Sequence, residues 1–298
     1  MKIKKVMIAG AGTLGSQIAW QTAFNGFNVT VYDAFEKGLE QGKEFHKQYA
    51  ALFMNQRGAS KDEIEATFQR LKYTTNLEEA ANDADLVSES VPEAIEIKKD
   101  FYTHLAKAAP EKTIFTTNTS SLLPSLFAKY TGRPEKFLAL HFANGIWDAN
   151  IGEVMPHPGT DPKYVEIVRQ FAKDIGMVPV VIKKEQPAYI LNTLLIPLLG
   201  AALELLAKGV AEPEDIDKTW MISSQVKMGP CAIMDMIGLE TVFHVLDGQA
   251  KETGDKGIAA LAEFVKVNYI DKGLLGRKTN KGFYTYPNPE FEKPDFLK

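Results

Sequence analysis

The strongest constraint on the fold lies at the start of the chain, in Val6-Met7-Ile8-Ala9-Gly10-Ala11-Gly12-Thr13-Leu14-Gly15. A short apolar run leads into glycines at 10, 12 and 15, the G-x-G-x-x-G spacing, and then into a helical pattern from about Thr13 to Asn25. Gly10 permits a tight turn, Gly12 lets backbone approach a pyrophosphate, and Gly15 lets the helix pack close to the strand. The free N–H groups and the positive end of that helix then face the phosphates. Asn28–Tyr32 reads as a second strand ending at Asp33, which follows Gly15 by 18 residues. An acid about 20 residues beyond the glycines is placed to bond a ribose 2′-OH. No Arg or Lys stands at 34 or 35 to receive a 2′-phosphate, so the expected cofactor is NAD rather than NADP. A packing role alone for these glycines does not explain the order strand, turn, helix, strand, acid. The expected cofactor contacts here are Gly10, Gly12, Thr13, Leu14, Gly15 and Asp33.

The next stretch predicts a helix over 36–55 and, after a break at 57–59, a second one opened by Ser60. Ser60 and Glu63 form the S-x-x-E pattern of a capping box, and this helix is read as running to about Leu71. The helix pair is an insertion in a simple βαβ count. Its Arg57 and Lys61 are candidates for substrate phosphates, against the plainer reading of a solvated surface. A short strand at 73–75, a short helix at 77–81 and strands at 85–89, 113–117 and 137–142 follow, with a helix over 93–106. Ligands of open α/β sheets bind beyond the carboxyl ends of the strands. There lie Glu93 with Lys98, then Asn118-Thr119-Ser120-Ser121, then His141. A further short run at 150–155 contains Glu153. A helix at 162–176 and a strand at 178–182 close the sheet.

Beyond Lys183-Lys184-Glu185-Gln186-Pro187 the pattern is almost wholly helical, with helices over 188–207, 212–221, 238–248 and 257–272. The fold class expected is α/β: a Rossmann-type, doubly wound, mostly parallel sheet followed by an all-α C-terminal domain. The domains are residues 1–185, cofactor-binding with the helical-pair insertion, and 186–298, for substrate and dimerisation. The first helix after the boundary is apolar beyond one face, which suits burial on several sides and a homodimer through the helical domain.

The chain has 298 residues, 45% of them hydrophobic and 24% charged, with net charge −4. That balance argues against nucleic acid or an anionic membrane as partner. A single cysteine, Cys231, gives no disulfide framework and no thiolate metal cluster. No metal site is expected. Residues 1–5 run directly into the first strand without an apolar leader region. Asn192, Thr193, Pro197 and Glu204 interrupt the longest apolar run, so no membrane span is expected either. The expected compartment is the cytoplasm.

Hydride transfer from an alcohol needs a base for the hydroxyl proton, a role suited to histidine. Of five histidines, His46, His104 and His244 fall on helices and His157 in a Pro-flanked loop. His141 alone ends an apolar strand on the cofactor side. By itself it fits a structural, hydrogen-bonded histidine as well as a catalyst.

Asn118-Thr119-Ser120-Ser121-Leu122, His141-Phe142 with Asn144, Glu153-Val154, and Asn192 within Tyr189-Ile190-Leu191-Asn192-Thr193-Leu194-Leu195 together resemble the L-3-hydroxyacyl-CoA dehydrogenase family in order and spacing. The likeness spans nearly the whole chain, through Gly209–Asp217, Met228-Gly229-Pro230 and Gly276–Tyr284. It implies that His141 is the general base for the 3-hydroxyl proton and that Glu153 orients its imidazole and favours the cationic form. Ser120 and Asn192 then contact the substrate oxygen, and Glu93, Lys98, Asn118 and Asn144 line the cofactor pocket. The implied reaction interconverts L-3-hydroxyacyl-CoA and 3-ketoacyl-CoA, with short chains such as 3-hydroxybutyryl-CoA expected. The chain departs from the family's usual pattern at Gly145, at Trp147-Asp148-Ala149-Asn150 and at Thr193. Two alternatives therefore stand beside it. One is the same chemistry on a non-CoA 3-hydroxy acid, such as a sugar acid or a carnitine-like compound; the other is a non-catalytic NAD-binding protein.

Overall fold

The computed structural model describes residues 2–298, which divide into two compact units, 2–190 and Leu191–Lys298. The first unit is built on eight strands: β1 (Lys5–Ala9), β2 (Asn28–Tyr32), β3 (Leu71–Thr74), β4 (Leu86–Glu89), β5 (Ile114–Thr117), β6 (Phe137–Phe142), β7 (Ile151–Pro156) and β8 (Val178–Val181). They form one sheet in the order β3-β2-β1-β4-β5-β6-β7-β8. All neighbouring pairs are parallel except β6 and β7, which run antiparallel. The order reverses between β1 and β4, where a doubly wound sheet opens its ligand crevice.

The sheet is covered on both faces, which is why its strands read as unbroken apolar runs rather than alternating ones. Within β1, Val6 and Ile8 enter one core with Trp20, Val31, Phe53, Leu138 and Phe171. Met7 and Ala9 enter the other, with Val87, Tyr102, Phe115, Phe127 and Phe137. Each such large apolar side chain, fully buried, contributes about 1.5–3 kcal/mol. On the first face lie α1 (Thr13–Phe24), α2 (Glu36–Arg57) and α3 (Lys61–Gln69). The Ser60 capping box forms, with Ser60 accepting from the Glu63 amide and Glu63 returning to the Ser60 amide. The helix is shorter than its sequence pattern suggests. Leu71 leaves it to begin β3, where it pairs with Val29 and is buried. A place in the sheet outweighs one more helical residue. Next come α4 (Leu77–Ala81), α5 (Ile95–Ala108) and α6 (Pro162–Asp174).

The second unit is helical: most of α7 (Tyr189–Ala207), then α8 (Pro213–Ser224), α9 (Pro230–Ile237), α10 (Leu239–Thr253) and α11 (Lys256–Asn268). Its core gathers Leu199, Leu203, Met234, Val265 and Tyr284. Sequence periodicity does not reveal α9, which is short. Buried Asp217 caps it, accepting from the amides of Cys231 at 2.7 Å and Ala232 at 2.9 Å and from the Tyr284 hydroxyl at 2.9 Å. Contrary to the reading of its interruptions, α7 is long and apolar enough to cross a membrane by length and composition. In the unit it serves as a core helix through Leu199, Ala202 and Leu203.

Candidate active site

The glycine turn has the shape a dinucleotide requires. Gly10 sits at φ +101°, and a Cβ there would meet the Ser90 carbonyl oxygen at 2.4 Å. A Cβ on Gly15 would lie 2.0 Å from the Gly10 carbonyl oxygen, so this glycine is fixed by the closeness of helix to turn. Gly12 is different: nothing lies within 4 Å of the same point, and the space before the first amides of α1 is open. Two glycines close the cradle and one leaves room in it, as a pyrophosphate over a helix N-terminus demands. Asp33, at the end of β2, accepts from the Ala11 amide at 2.9 Å and the Phe35 amide at 3.1 Å. Its carboxylate is thereby anchored beside the turn. Thr13 is exposed and Leu14 half-buried in the first turn of α1.

Beyond β4 stands a charged network that sequence reasoning reached only in part. Glu89, fully buried, accepts from Lys98 Nζ at 2.5 Å and at 2.8 Å from the Val91 amide, the Tyr102 hydroxyl and the Thr117 hydroxyl. Lys98 also reaches Glu93 at 3.2 Å and is itself 1% exposed. It is not a solvated helix charge. It bridges two carboxylates from within. Glu93, above it, accepts from the amides of Ser120 and Ser121, both at 3.1 Å, and from the hydroxyls of Thr119 and Ser121. Burial pushes the Glu93 carboxyl up, but the Thr119 and Ser121 hydrogen bonds and the Lys98 charge outweigh it and hold it below the usual range. The turn after β5 is thus strapped to β4 through one carboxylate. Asn118 ties the same turn to β6, accepting from the Phe142 amide at 3.0 Å and donating to the Ser90 hydroxyl at 3.2 Å.

The turn presents Ser120, whose Oγ lies 3.2 Å from His141 Nε2. His141 Nδ1 lies 2.9 Å from Glu153 Oε2. The second contact follows from register: His141 and Glu153 are directly opposite partners on β6 and β7 and so project from the same face. Both are buried, at 3% and 0% exposure. With a carboxylate as its partner, Nδ1 carries the proton, which leaves Nε2 of the neutral ring as an acceptor facing Ser120. The other Glu153 oxygen accepts from the Ile190 amide at 2.9 Å. The Tyr189 ring stacks on the imidazole, with centroids 4.3 Å apart and planes 19° apart. Sequence reasoning quoted Tyr189 within a motif but gave it no role. Nor did it single out Glu89, for which position at the end of β4 was the available signal.

Asn144 accepts from Gln17 Nε2 at 2.6 Å, and Gln17 Oε1 accepts from the Gly145 amide at 2.8 Å. The segment after it is docked on α2: Trp147 packs against Tyr49 and Phe53, and Asp148 pairs with Arg57. Asn192 lies in the second unit, half-buried on α7. Among the described residues no group of three His, Cys, Asp or Glu side chains is placed to hold a metal.

A serine, a histidine oriented by a buried carboxylate, and a dinucleotide turn on one crevice can move a proton next to a nicotinamide. Residues 5–186 match the model of the 3-hydroxyacyl-CoA dehydrogenase NAD binding domain, and residues 189–286 that of the C-terminal domain. The chain belongs to the 3-hydroxyacyl-CoA dehydrogenase family. It is an NAD-dependent oxidoreductase. Among its relatives is the probable 3-hydroxybutyryl-CoA dehydrogenase of Bacillus subtilis, 32% identical over 96% of this chain and 98% of that protein. The mitochondrial hydroxyacyl-coenzyme A dehydrogenase of Rattus norvegicus is 33% identical over 95% and 91%. Among solved structures, a diketoreductase described as acting on dicarbonyl compounds is 46% identical, with a TM-score of 0.89 over 96% of this chain and 100% of its own. The (S)-3-hydroxybutyryl-CoA dehydrogenase of Ralstonia eutropha is 27% identical, with a TM-score of 0.81 over the same shares.

Proposed function

We propose that this dehydrogenase interconverts a short-chain L-3-hydroxyacyl-CoA, such as 3-hydroxybutyryl-CoA, and the 3-ketoacyl-CoA, with His141 and Glu153 as its general-base pair. The observation that carries this reading is the relay Ser120–His141–Glu153, continuous at 3.2 and 2.9 Å. NAD supplies the hydride acceptor. In oxidation, His141 Nε2 takes the proton of the substrate hydroxyl, and the Ser120 hydroxyl, turned from Nε2, donates to the oxygen on which charge develops. The buried Glu153 carboxylate favours the imidazolium so formed. In reduction, the imidazolium returns the proton. A positioned base of this kind contributes about 10²–10⁴-fold, and each preorganised donor at the oxygen about 3–4 kcal/mol. Asn192 is assigned by family likeness to the same oxygen. The second unit is also the proposed dimer surface: α7 has Leu194 70% exposed and α8 has Ile222 54% exposed. Light scattering at micromolar concentration tests this.

A second substrate reading is favoured by two observations. The diketoreductase, at 46% identity, is nearer in sequence than the cited CoA dehydrogenases. Arg57, one of the cations available for a CoA phosphate, is paired with Asp148 instead. In this reading the same relay serves a free dicarbonyl compound or 3-hydroxy acid. The deciding experiment is oxidation of NADH by purified protein with acetoacetyl-CoA and, in parallel, a free dicarbonyl compound without CoA. Turnover of the thioester, lost in His141→Gln, supports the first reading. Turnover of the free dicarbonyl alone moves the substrate to the second. NADH binding without turnover of either refutes both.

A further inference from the structure

The entry to α7 is held in an unfavourable backbone. Ala188 and Tyr189, consecutive and neither a glycine, stand at φ 64° and 55°. The left-handed region is disfavoured for any residue with a Cβ and persists only where the surroundings over-determine it. What this turn achieves is specific. It lays the Tyr189 ring flat on the His141 imidazole, 4.3 Å and 19° away, and aims the next amide, of Ile190, at Glu153 at 2.9 Å. Two successive residues of one strained turn therefore touch both members of the His–Glu pair. Tyr189 is fully buried, so its ring has no freedom to leave the stack.

We propose that Tyr189 is a positioning residue for proton transfer: its ring face holds the imidazole plane between Ser120 and Glu153 and favours the imidazolium over the neutral ring. The physical basis is the negative face of an aromatic ring, which attracts a cation laid over it in a water-poor site. The proposal rests on the reading of His141 as the base. The groups facing His141 are Ser120 from the turn after β5, Glu153 from β7 and Tyr189 itself. Burial first, and then the carboxylates of Glu93, Glu153, Glu89 and Glu185, push the Tyr189 hydroxyl far above its ordinary range. It stays neutral at working pH, and the part of Tyr189 laid against the imidazole is the ring face.

The test compares Tyr189→Phe, which keeps the ring, with Tyr189→Leu, which keeps an apolar side chain without it. The readouts are kcat and KM of NAD-dependent oxidation, the direction in which the imidazolium forms, and the pH profile of NADH-dependent reduction, with the melting temperature alongside. Tyr189→Leu should lose about 10- to 30-fold in kcat, from the roughly 1.5–2 kcal/mol of a desolvated cation–ring contact, with KM changed less than about 2-fold. Its alkaline fall in rate should begin at lower pH, because the imidazolium is no longer favoured. Tyr189→Phe should restore both rate and profile. An unshifted profile in Tyr189→Leu, or equal impairment of both variants, overturns the proposal. If Tyr189→Leu does not fold, pentafluorophenylalanine at 189 keeps the shape and removes the negative face. It should give the same shift, and a normal profile there overturns the proposal. His141→Gln separates the two levels. Retained turnover refutes the base assignment and this proposal with it, whereas lost turnover beside an unshifted Tyr189→Leu profile refutes this proposal alone.

Discussion

Replacing Glu153 by Gln is the sharpest test of the proton relay. The carboxylate divides its oxygens between two N–H groups, His141 Nδ1 and the Ile190 amide, each at 2.9 Å. An amide offers one oxygen and one NH₂ in the same space. One of those N–H groups must then face another donor, and the charge opposite the imidazolium is gone. With charge centres about 4 Å apart and an effective dielectric constant near 20, the lost attraction is about 4 kcal/mol. The dipole of the amide oxygen returns part of this if it turns toward His141, leaving roughly 2 kcal/mol at the low end. At 1.36 kcal/mol per decade, kcat should fall by about 30- to 1000-fold. NADH affinity should be unchanged, because Glu153 lies on β7 while the glycine turn follows β1. The assay is steady-state NADH formation from the hydroxy substrate, the direction in which the imidazolium forms, with circular dichroism to establish folding and fluorescence titration for NADH. A folded variant with kcat within about 3-fold of the parent would refute the relay and leave Glu153 as a cap for the start of α7.

The glycines of the turn should separate binding from stability. Gly12→Ala meets open space and should fold normally but weaken NADH binding at least about 10-fold by crowding the pyrophosphate, whereas Gly10→Ala, at φ +101° and 2.4 Å from the Ser90 oxygen, should lower the melting temperature; equal NADH affinity in Gly12→Ala and wild type would refute the cradle. Lys98→Met leaves Glu89 buried without its cation and should cost about 3–5 kcal/mol, roughly 10 °C of melting temperature. Much of that should return in the double variant Glu89→Gln/Lys98→Met, and an additive double loss would contradict the pairing. His46 is buried between the Ser16 carbonyl at 2.9 Å and the Tyr73 hydroxyl at 2.7 Å, and burial lowers its pKa from 6.5 to about 4. The folded state therefore binds fewer protons than the unfolded chain between those values, and stability present above pH 6.5 is lost as pH falls toward 4, by about 3 kcal/mol in all. Urea midpoints at neutral and acidic pH should show this loss reduced in His46→Gln, and an identical loss in both proteins would exclude His46 as its source.

The site was legible where its chemistry is contiguous. Gly10, Gly12, Gly15 and Asp33 are recognisable because a turn, a helix start and the end of the next strand fix their places within one βαβ unit. The capping box at Ser60 and Glu63 is local for the same reason. Lys98 was visible as a charge near the crevice, but its enclosure by Glu89 and Glu93 was not, because burial depends on how α5 settles over β4 and β5. Leu71 was read as helical and belongs to β3, since what decides it is pairing with Val29, forty-two residues earlier.

The sequence by itself determined the cofactor turn, the alternation of strands and helices and the helical C-terminal half. These depend on spacing and propensity over at most a few tens of residues. Only the tertiary structure decided what each side chain touches. His141 and Glu153 meet because β7 runs antiparallel to β6 in a register that sets them opposite. Ser120 reaches His141 because a carboxylate from beyond β4 gathers the turn after β5, and Tyr189 covers the imidazole because two left-handed residues bend the chain onto it. A one-residue slip in that strand pairing would turn Glu153 to the other face of the sheet and leave the motif intact. The reason is physical: composition and order select the groups, but register and packing set the distances across which a proton can move.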